Sequence, residues 1–355
     1  MEIKDYHIEM LSVGAADAFI IYIIDENDRE NLVLIDSGNY SDGQKIINHI
    51  RRYYDNPVID VAVVTHPDDN HYGGFVKMLE KIQNKEKDAI VIKKFWVNDP
   101  GNEHIDIEDV KNGKKQAPVN CRAQRVYDLN DQNLLNLIDE LKIFREEKFA
   151  EAKLHFNRET KVFSCNITPS GFPGFTIIGP TKKYYEQLIP NFRDDLIHYD
   201  NENENTYDSD SDIQNGECLS PTLDEAGDDS SAHNQSSIMV LFEPKIGEKH
   251  FFMGDAGRDA FDNISRCHRA KIKGVSWLKV PHHGSKHNMD SVMINWIKPK
   301  TAYISAEKIG NYVNQCTINA LKRSGCNVYS SHIDAANFIY KQIGKREGYS
   351  TAEPL

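Results

Sequence analysis

The chain lacks several features that mark common protein classes. Only six cysteines occur in 355 residues (Cys121, Cys165, Cys218, Cys267, Cys316 and Cys326), and no two form a C-x-x-C pair. That scatter excludes a zinc ribbon, argues against a disulfide framework and suits a reducing compartment. No apolar run approaches the ~20 residues needed to cross a bilayer, and Met1 to Tyr6 carries no apolar signal core. The expectation is a soluble, cytoplasmic protein with no membrane partner. Positive charge is in deficit, with 42 Lys+Arg against 54 Asp+Glu and a formal net charge of −12. The field of the whole molecule therefore opposes loose binding to a long polyanion, although a local basic groove remains allowed. There is no glycine-rich phosphate loop of the Walker or Rossmann type, and no short internal repeat.

What is present is a long alternation of strand and helix signals. With 39% hydrophobic residues, the chain can bury a large core, and residues 1–355 read as a single domain. Strands are predicted at Glu9–Val13, Ala18–Ile24, Leu32–Ile35, Val58–Val64 and Ile90–Val97, with helices at Gln44–Tyr54 and Phe75–Ile82. The pattern weakens over 98–160, which reads as a partly helical insertion and a candidate surface for a protein partner. A second weak stretch, 198–232, is rich in Asp, Glu, Asn and Ser and reads as a flexible, solvated acidic loop. Alternation resumes with strands at Phe175–Ile178, Ser237–Phe242, His250–Met253, Val275–Val280 and Ala302–Ser305, and short helices at Ala260–Arg269, Ser291–Ile297 and Ile318–Arg323. Strands and helices in two successive sets predict a mixed α/β (α+β) fold, with two halves packed face to face as a four-layer sandwich.

Four segments carry metal-capable side chains, and each follows a predicted strand. They are Leu34-Ile35-Asp36-Ser37-Gly38, His66-Pro67-Asp68-Asp69-Asn70-His71, Phe252-Met253-Gly254-Asp255 and Val280-Pro281-His282-His283-Gly284-Ser285. Strand ends on one rim of a sheet converge, so residues distant in sequence can share a cation. Imidazole and carboxylate together suit a divalent ion such as Zn²⁺ or Mn²⁺. A lone His or Asp at a strand end is more often a cap or a solvated residue, so the argument rests on all four segments together. On that basis Asp17, among small residues, reads as a turn residue. His104, His198, His250, His268, His287 and His332 read as surface residues. Gly73-Gly74 reads as a tight turn into a helix, or as a pair of amide donors for an oxyanion.

These segments, with Val13-Gly14-Ala15-Ala16-Asp17-Ala18, Ser236-Ser237-Ile238-Met239-Val240 and Ala302-Tyr303-Ile304-Ser305, resemble the metallo-β-lactamase fold superfamily. More narrowly, they resemble the soluble hydrolase domain of bacterial competence DNA-uptake proteins. The resemblance implies an αββα sandwich and one or two Zn²⁺ or Mn²⁺ ions per chain. The superfamily signature His-x-(His or Asp)-x-Asp-His falls on His66, Asp68, Asn70 and His71. Asn70 departs from the pattern, because a neutral amide is a weaker ligand than a carboxylate and weakens the second metal site. The resemblance further implies Asp255 as the bridging carboxylate, one of His282 and His283 as the last histidine, and His233 as a further candidate ligand. Asp36 is expected to orient neighbouring ligands by hydrogen bonds. Asp68, His71 and Asp255 are the expected catalytic residues. Lys279, Ser285 and Lys286 are either phosphate holders or ordinary surface residues. The function expected is a metal-dependent hydrolase acting on a phosphodiester, either nucleic acid or a small nucleotide. A catalytically weakened binding or regulatory protein is the alternative that Asn70 keeps open, and an ester or lactone hydrolase is a third.

Overall fold

The computed structural model describes residues 2–97, 125–128, 174–188, 191, 213–214, 217–218, 223–307, 313–331, 337–341, 349 and 355. Most of the expected insertion at 98–160, most of the acidic stretch before residue 223, and His104, His198 and His332 lie outside the described residues. The fold is mixed α/β and is built on two large mixed sheets.

The first sheet contains β1 (Ile3–Met10), β2 (Phe19–Asp25), β3 (Glu30–Ile35), β5 (Val61–Val64), β7 (Lys94–Val97), β8 (Arg125–Asp128) and β17 (Phe338–Tyr340), in the order β17-β1-β2-β3-β5-β7-β8. Its centre, β3-β5-β7, is parallel. The second sheet contains β9 (Phe175–Gly179), β12 (Met239–Lys245), β13 (Glu248–Phe252), β14 (Trp277–Lys279), β15 (Thr301–Ile304) and β16 (Asn327–Ser330), in the order β16-β15-β14-β13-β12-β9. Here β13-β14-β15-β16 run parallel. Two short pairs lie apart, β4 (Val58–Ile59) with β6 (Val91–Ile92), and β10 (Ile213–Gln214) with β11 (Glu217–Cys218).

The two-residue period of a strand explains why these segments are apolar throughout rather than alternating. In β3, Val33 and Ile35 enter a core shared with the second sheet, while Leu32 and Leu34 meet helices on the other face. β5 divides in the same way, with Val61 and Val63 inward and Ala62 and Val64 outward. A strand covered on both faces must be apolar on both. The shared core joins Phe19, Ile21 and Trp96 of the first sheet to Phe175, Phe242, Phe252 and Trp277 of the second. Each such side chain stabilises the fold by about 1.5–3 kcal/mol when fully buried. α1 (Asp42–Tyr53) and α2 (Asp69–Gln83) cover the outer face of the first sheet. α3 (Lys182–Leu188) and α4 (Ala232–Gln235) also contribute side chains there, through Tyr185 and Ala232. α5 (Arg258–Asp262), α7 (Ser291–Ile297) and α8 (Gln315–Arg323) cover the second sheet, next to the short α6 (Arg266–Lys271).

Several boundaries differ from the sequence reading. β1 ends at Met10 instead of running from Glu9 to Val13, because Leu11 onward turns toward the next strand. The apolar run Val58–Val64 splits at Asp60, whose carboxylate accepts the Leu32 N–H at 2.9 Å. The helix predicted from Phe75 begins at Asp69, inside the ligand motif. Gly73 and Gly74 therefore lie within α2 and form no turn. A Cβ on Gly74 would stand 2.1 Å from the Ser37 carbonyl oxygen, so glycine here permits close contact between α2 and the loop after β3. The Gly74 N–H donates to Gly38 O at 3.1 Å, so that amide is already used. His250 and His268, read as surface residues, are buried between packed elements. Cys316 is disulfide-bonded, whereas Cys267 and Cys326 are free.

Among the described residues, no helix is long and apolar enough to cross a membrane.

Candidate metal centre

The rim where β3, β5, β13 and β14 end gathers the four motif segments. Asp36 follows β3, Thr65-His66 follows β5, Gly254-Asp255 lies just past β13, and His282-His283 lies past β14. Placing them strains the backbone. Asp36, His282 and His283 adopt left-handed φ angles of 56°, 45° and 51°. A non-glycine residue pays about 1–3 kcal/mol for such a conformation, and it persists where surrounding structure enforces it.

His66, His71 and Asp255 form the centre. One ligand atom from each lies within 4.8 Å of the others, and all three residues are buried. Asp255 Oδ2 is 3.3 Å from His71 Nε2 and 4.0 Å from His66 Nε2. Neither Nε2 has a hydrogen-bond partner, although both are buried. Two orphaned imidazole nitrogens converging on a carboxylate fit a divalent cation, since a buried polar atom without a partner is otherwise costly.

Hydrogen bonds behind the rings set their tautomers. Asp36 Oδ2 is 2.8 Å from His71 Nδ1 and accepts the Thr65 hydroxyl at 2.7 Å. That hydroxyl has spent its proton, so at 3.1 Å it accepts from His66 Nδ1. With Nδ1 so engaged, each ring turns Nε2 toward the centre, and it is Nε2 that offers a lone pair once the ring is neutral. Ser237 Oγ adds a contact to His66 Nδ1 at 3.2 Å and accepts the Asp255 N–H at 3.0 Å.

Asp68 borders this centre, with Oδ2 3.5 Å from His66 Nε2 and Oδ1 3.3 Å from His233 Nδ1. Burial opposes the charge on Asp68, yet His233 and His66 hold its carboxyl well below the ordinary 3.8. For Asp255 burial is likewise opposed by His71, Lys279 and His282, with the same outcome. His71 is affected in the opposite sense. Burial works against its charged form, but Asp255 and Asp36 raise it well above 6.5.

The two adjacent histidines have different surroundings. His282 Nδ1 faces Asn288 Oδ1 at 3.0 Å and Asp229 Oδ2 at 3.3 Å. His283 is engaged at both nitrogens, with Nδ1 3.0 Å from Ser305 O and Nε2 3.3 Å from Asn70 Nδ2. Burial lowers His283 to about 4, so it is neutral, donating through Nδ1 and accepting through Nε2. Asn70 thus occupies the accepting nitrogen of His283. Asn70 also donates to Ala15 O at 3.3 Å, which turns its NH₂ rather than its carbonyl toward His283.

Lys279 does not hold substrate. The period that puts Trp277 in the shared core also puts Lys279 between the sheets, where it is 1% exposed. Its ammonium donates to Gly254 O at 2.7 Å and Asp255 Oδ1 at 3.1 Å, and pairs with Asp17. Burial opposes its charge, but Asp17 and Asp255 raise it above 10.5. Ser285 and Lys286 are also largely buried. The Ser285 hydroxyl accepts the His287 N–H at 3.1 Å, and Lys286 O accepts from Arg258. Asp17, read as a turn residue, is fully buried and bonded to Ser305 and Lys279.

The sequence reading missed Asp229, Asn288 and Ser305. Asp229 lies in the stretch read as a solvated acidic loop, but its Oδ2 accepts from Asn234 and Asn288 at 2.8 Å each. Residues 223–232 are thus built into the rim. Arg258 secures them by donating to Leu223 O and Ala226 O and pairing with Asp228. A sequence signal did exist, since Leu223 and Ala232 are apolar islands within the acidic stretch, and both are buried. Compared with known proteins, the chain matches no family model and no curated protein sequence.

Proposed function

We propose that this chain is a metal-dependent hydrolase of the metallo-β-lactamase type, with a phosphodiester as its substrate class. The observation that carries the reading is the pair of buried, unbonded Nε2 atoms of His66 and His71 facing Asp255. Supporting it are the order of the four ligand segments along the chain and the apolar cores on either side of both sheets.

The residues that would hold the cation are His66, His71 and Asp255, with Asp68, His233 and His282 around them. A divalent ion there, Zn²⁺ or Mn²⁺, supplies Lewis acidity, bringing the pKa of a bound water to ~7 and stabilising charge on a phosphoryl oxygen. The chain's own residues do the rest. Asp68, kept ionised by His233 and His66, is the group fitted to accept a proton from an attacking water. Asp36 holds both ligand rings in the metal-binding tautomer. The acidic surface favours a small nucleotide or short strand over a long duplex.

Asn70 supports a second reading, a catalytically weakened binding or regulatory protein of the same type. Its amide turns an NH₂ toward His283 where the family signature has a carboxylate. Metal-stripped protein reloaded with Zn²⁺ or Mn²⁺ and given bis(p-nitrophenyl) phosphate, dinucleotides and single- and double-stranded DNA separates the two. Turnover that requires the metal supports the hydrolase, whereas metal uptake with no turnover on any of these favours the binding protein. Hydrolysis of carboxylic esters or lactones alone would move the assignment to that substrate class.

A further inference from the structure

The acceptors beside Lys279 and Asn70 that a second cation would need are already capped by hydrogens of the chain itself. Beyond the His66–His71–Asp255 group, the described residues bring together one other trio of metal-capable atoms, Asp17, Asp36 and His71, beside Asp255 Oδ1, His283 Nε2 and Asn70, while Asp68, His233 and His282 are the neighbours assigned above to the first cation. Asp255 Oδ1 receives Lys279 Nζ at 3.1 Å and the His282 N–H at 3.2 Å. Asp17 receives Lys279 and the Ser305 hydroxyl. Asp36 receives the Thr65 N–H at 2.8 Å, the Thr65 hydroxyl at 2.7 Å and His71 Nδ1 at 2.8 Å. His283 Nε2 receives the Asn70 amide at 3.3 Å, and the Ala15 carbonyl fixes that amide nitrogen side inward.

Lys279 is central to this arrangement. An ammonium has three protons, and here each has an acceptor: Gly254 O, Asp255 Oδ1 and Asp17. The side chain is buried and paired with the carboxylates of Asp17 and Asp255, so its positive charge is held at the back of the centre and touches no substrate. A charge so placed offsets the buried carboxylates of Asp17 and Asp255.

We propose that the centre is mononuclear, with one divalent cation on His66, His71 and Asp255, and that the ammonium of Lys279 permanently fills the role a second cation would have. This rests on the metal-dependent reading above and specifies the form of the centre. Lys279 acts as a positioning residue. It holds Asp255 so that Oδ2 alone faces the histidines, and Asn70 seals the neighbouring corner. The two substitutions act together, because restoring a carboxylate at position 70 adds a ligand but leaves the ammonium in place.

The test is metal counting by calorimetric titration of metal-stripped full-length protein with Mn²⁺ alone and Zn²⁺ alone, with elemental analysis of the loaded protein. The wild type binds one ion per chain. Asn70→Asp binds a second at least tenfold more weakly than does Asn70→Asp/Lys279→Met, which binds two. Two ions bound to the wild type with dissociation constants within tenfold of each other would overturn the proposal. So would a folded double variant that still binds one. The wild-type count needs no variant, so it decides even if the double variant does not fold. One ion without turnover removes the hydrolase but leaves the mononuclear centre standing, two ions with turnover does the reverse, and no ion removes both.

Discussion

Asp36 orients both histidines of the candidate metal centre, His71 directly and His66 through Thr65. Its Oδ2 lies 2.8 Å from His71 Nδ1 and accepts the Thr65 hydroxyl that in turn accepts from His66 Nδ1. A neutral amide at this position keeps the size and tolerates the left-handed φ of 56°, since Asn visits that region readily. Asp36→Asn therefore tests the charge with little disturbance of the backbone. The expected result is a loss of about 10–100-fold in Zn²⁺ or Mn²⁺ affinity with the fold retained. Titration calorimetry alongside far-UV circular dichroism measures both, and unchanged affinity would break the proposed link from Asp36 to the two rings.

Cation binding should release protons. With no metal, Asp255 and Asp36 outweigh burial and hold His71 well above its ordinary value, so the ring is protonated at neutral pH. A metal ligand must be deprotonated, so binding expels that proton and affinity rises with pH across the range where His71 would otherwise be charged. Calorimetry at pH 7 in two buffers of different ionisation enthalpy reads the number released. A binding enthalpy independent of buffer would contradict the assignment of His71.

The sequence made much of this centre legible, because a ligand-rich segment after an apolar strand is a local pattern. His66, Asp68, His71 and Asp255 could be read from their own neighbourhoods, and they converge. Less legible was anything fixed by a partner far along the chain. Lys279 looks like a surface cation beside a strand, and only its register next to Trp277 and its contact with Asp17 make it a buried structural charge. Asp229 was hidden in an acidic stretch whose composition suggests full solvation, yet Asn234 and Asn288 bring it inside. The different surroundings of His282 and His283 also required coordinates, because those of His283 depend on the direction of the Asn70 amide. Strand identity was readable for a simpler reason: strands buried on both faces need continuous apolar sequence. Their ends were not, since single residues such as Asp60 set them.

Acid should destabilise the fold at a site unrelated to the metal. His250 is buried between the sheets, with Nε2 2.6 Å from the Tyr6 hydroxyl and its ring against Phe242 and Tyr340. Burial lowers it from 6.5 to about 3, so the folded protein holds it neutral. A histidine whose folded value is depressed contributes full stability above about 6.5 and loses it as pH falls toward 3. The loss is about 1.4 kcal/mol per pH unit in that window. Between pH 6.5 and 5, His250→Phe should therefore lose about 2 kcal/mol less than the wild type, measured by urea unfolding at both pH values. Equal losses would mean that His250 is not the group titrating.

Gly74 links the packing of α2 to the metal centre. In an exposed helix interior, Gly→Ala gains about 1 kcal/mol from helix propensity. Here a Cβ would stand 2.1 Å from Ser37 O and 3.0 Å from Ser37 Cβ, and a backbone carbonyl cannot rotate away as a side chain can. Ser37 follows Asp36 directly, and its N–H donates to His71 O at 2.7 Å. Moving it displaces both partners of the Asp36–His71 bond. Gly74→Ala should thus cost about 1–3 kcal/mol net of any propensity gain, since overpacking outweighs propensity. It should also weaken metal binding by tenfold or more. Gly227, which has no atom within 4 Å of where its Cβ would lie, is the control, and Gly227→Ala should change stability by less than about 0.5 kcal/mol. Thermal melts with and without Zn²⁺ separate the two effects for Gly74→Ala: the metal-free melting point reports the packing loss, and the shift on adding Zn²⁺, smaller than in the wild type, reports the damaged centre. A metal-induced shift equal to that of the wild type would show that the α2 contact and the metal ligands are independent.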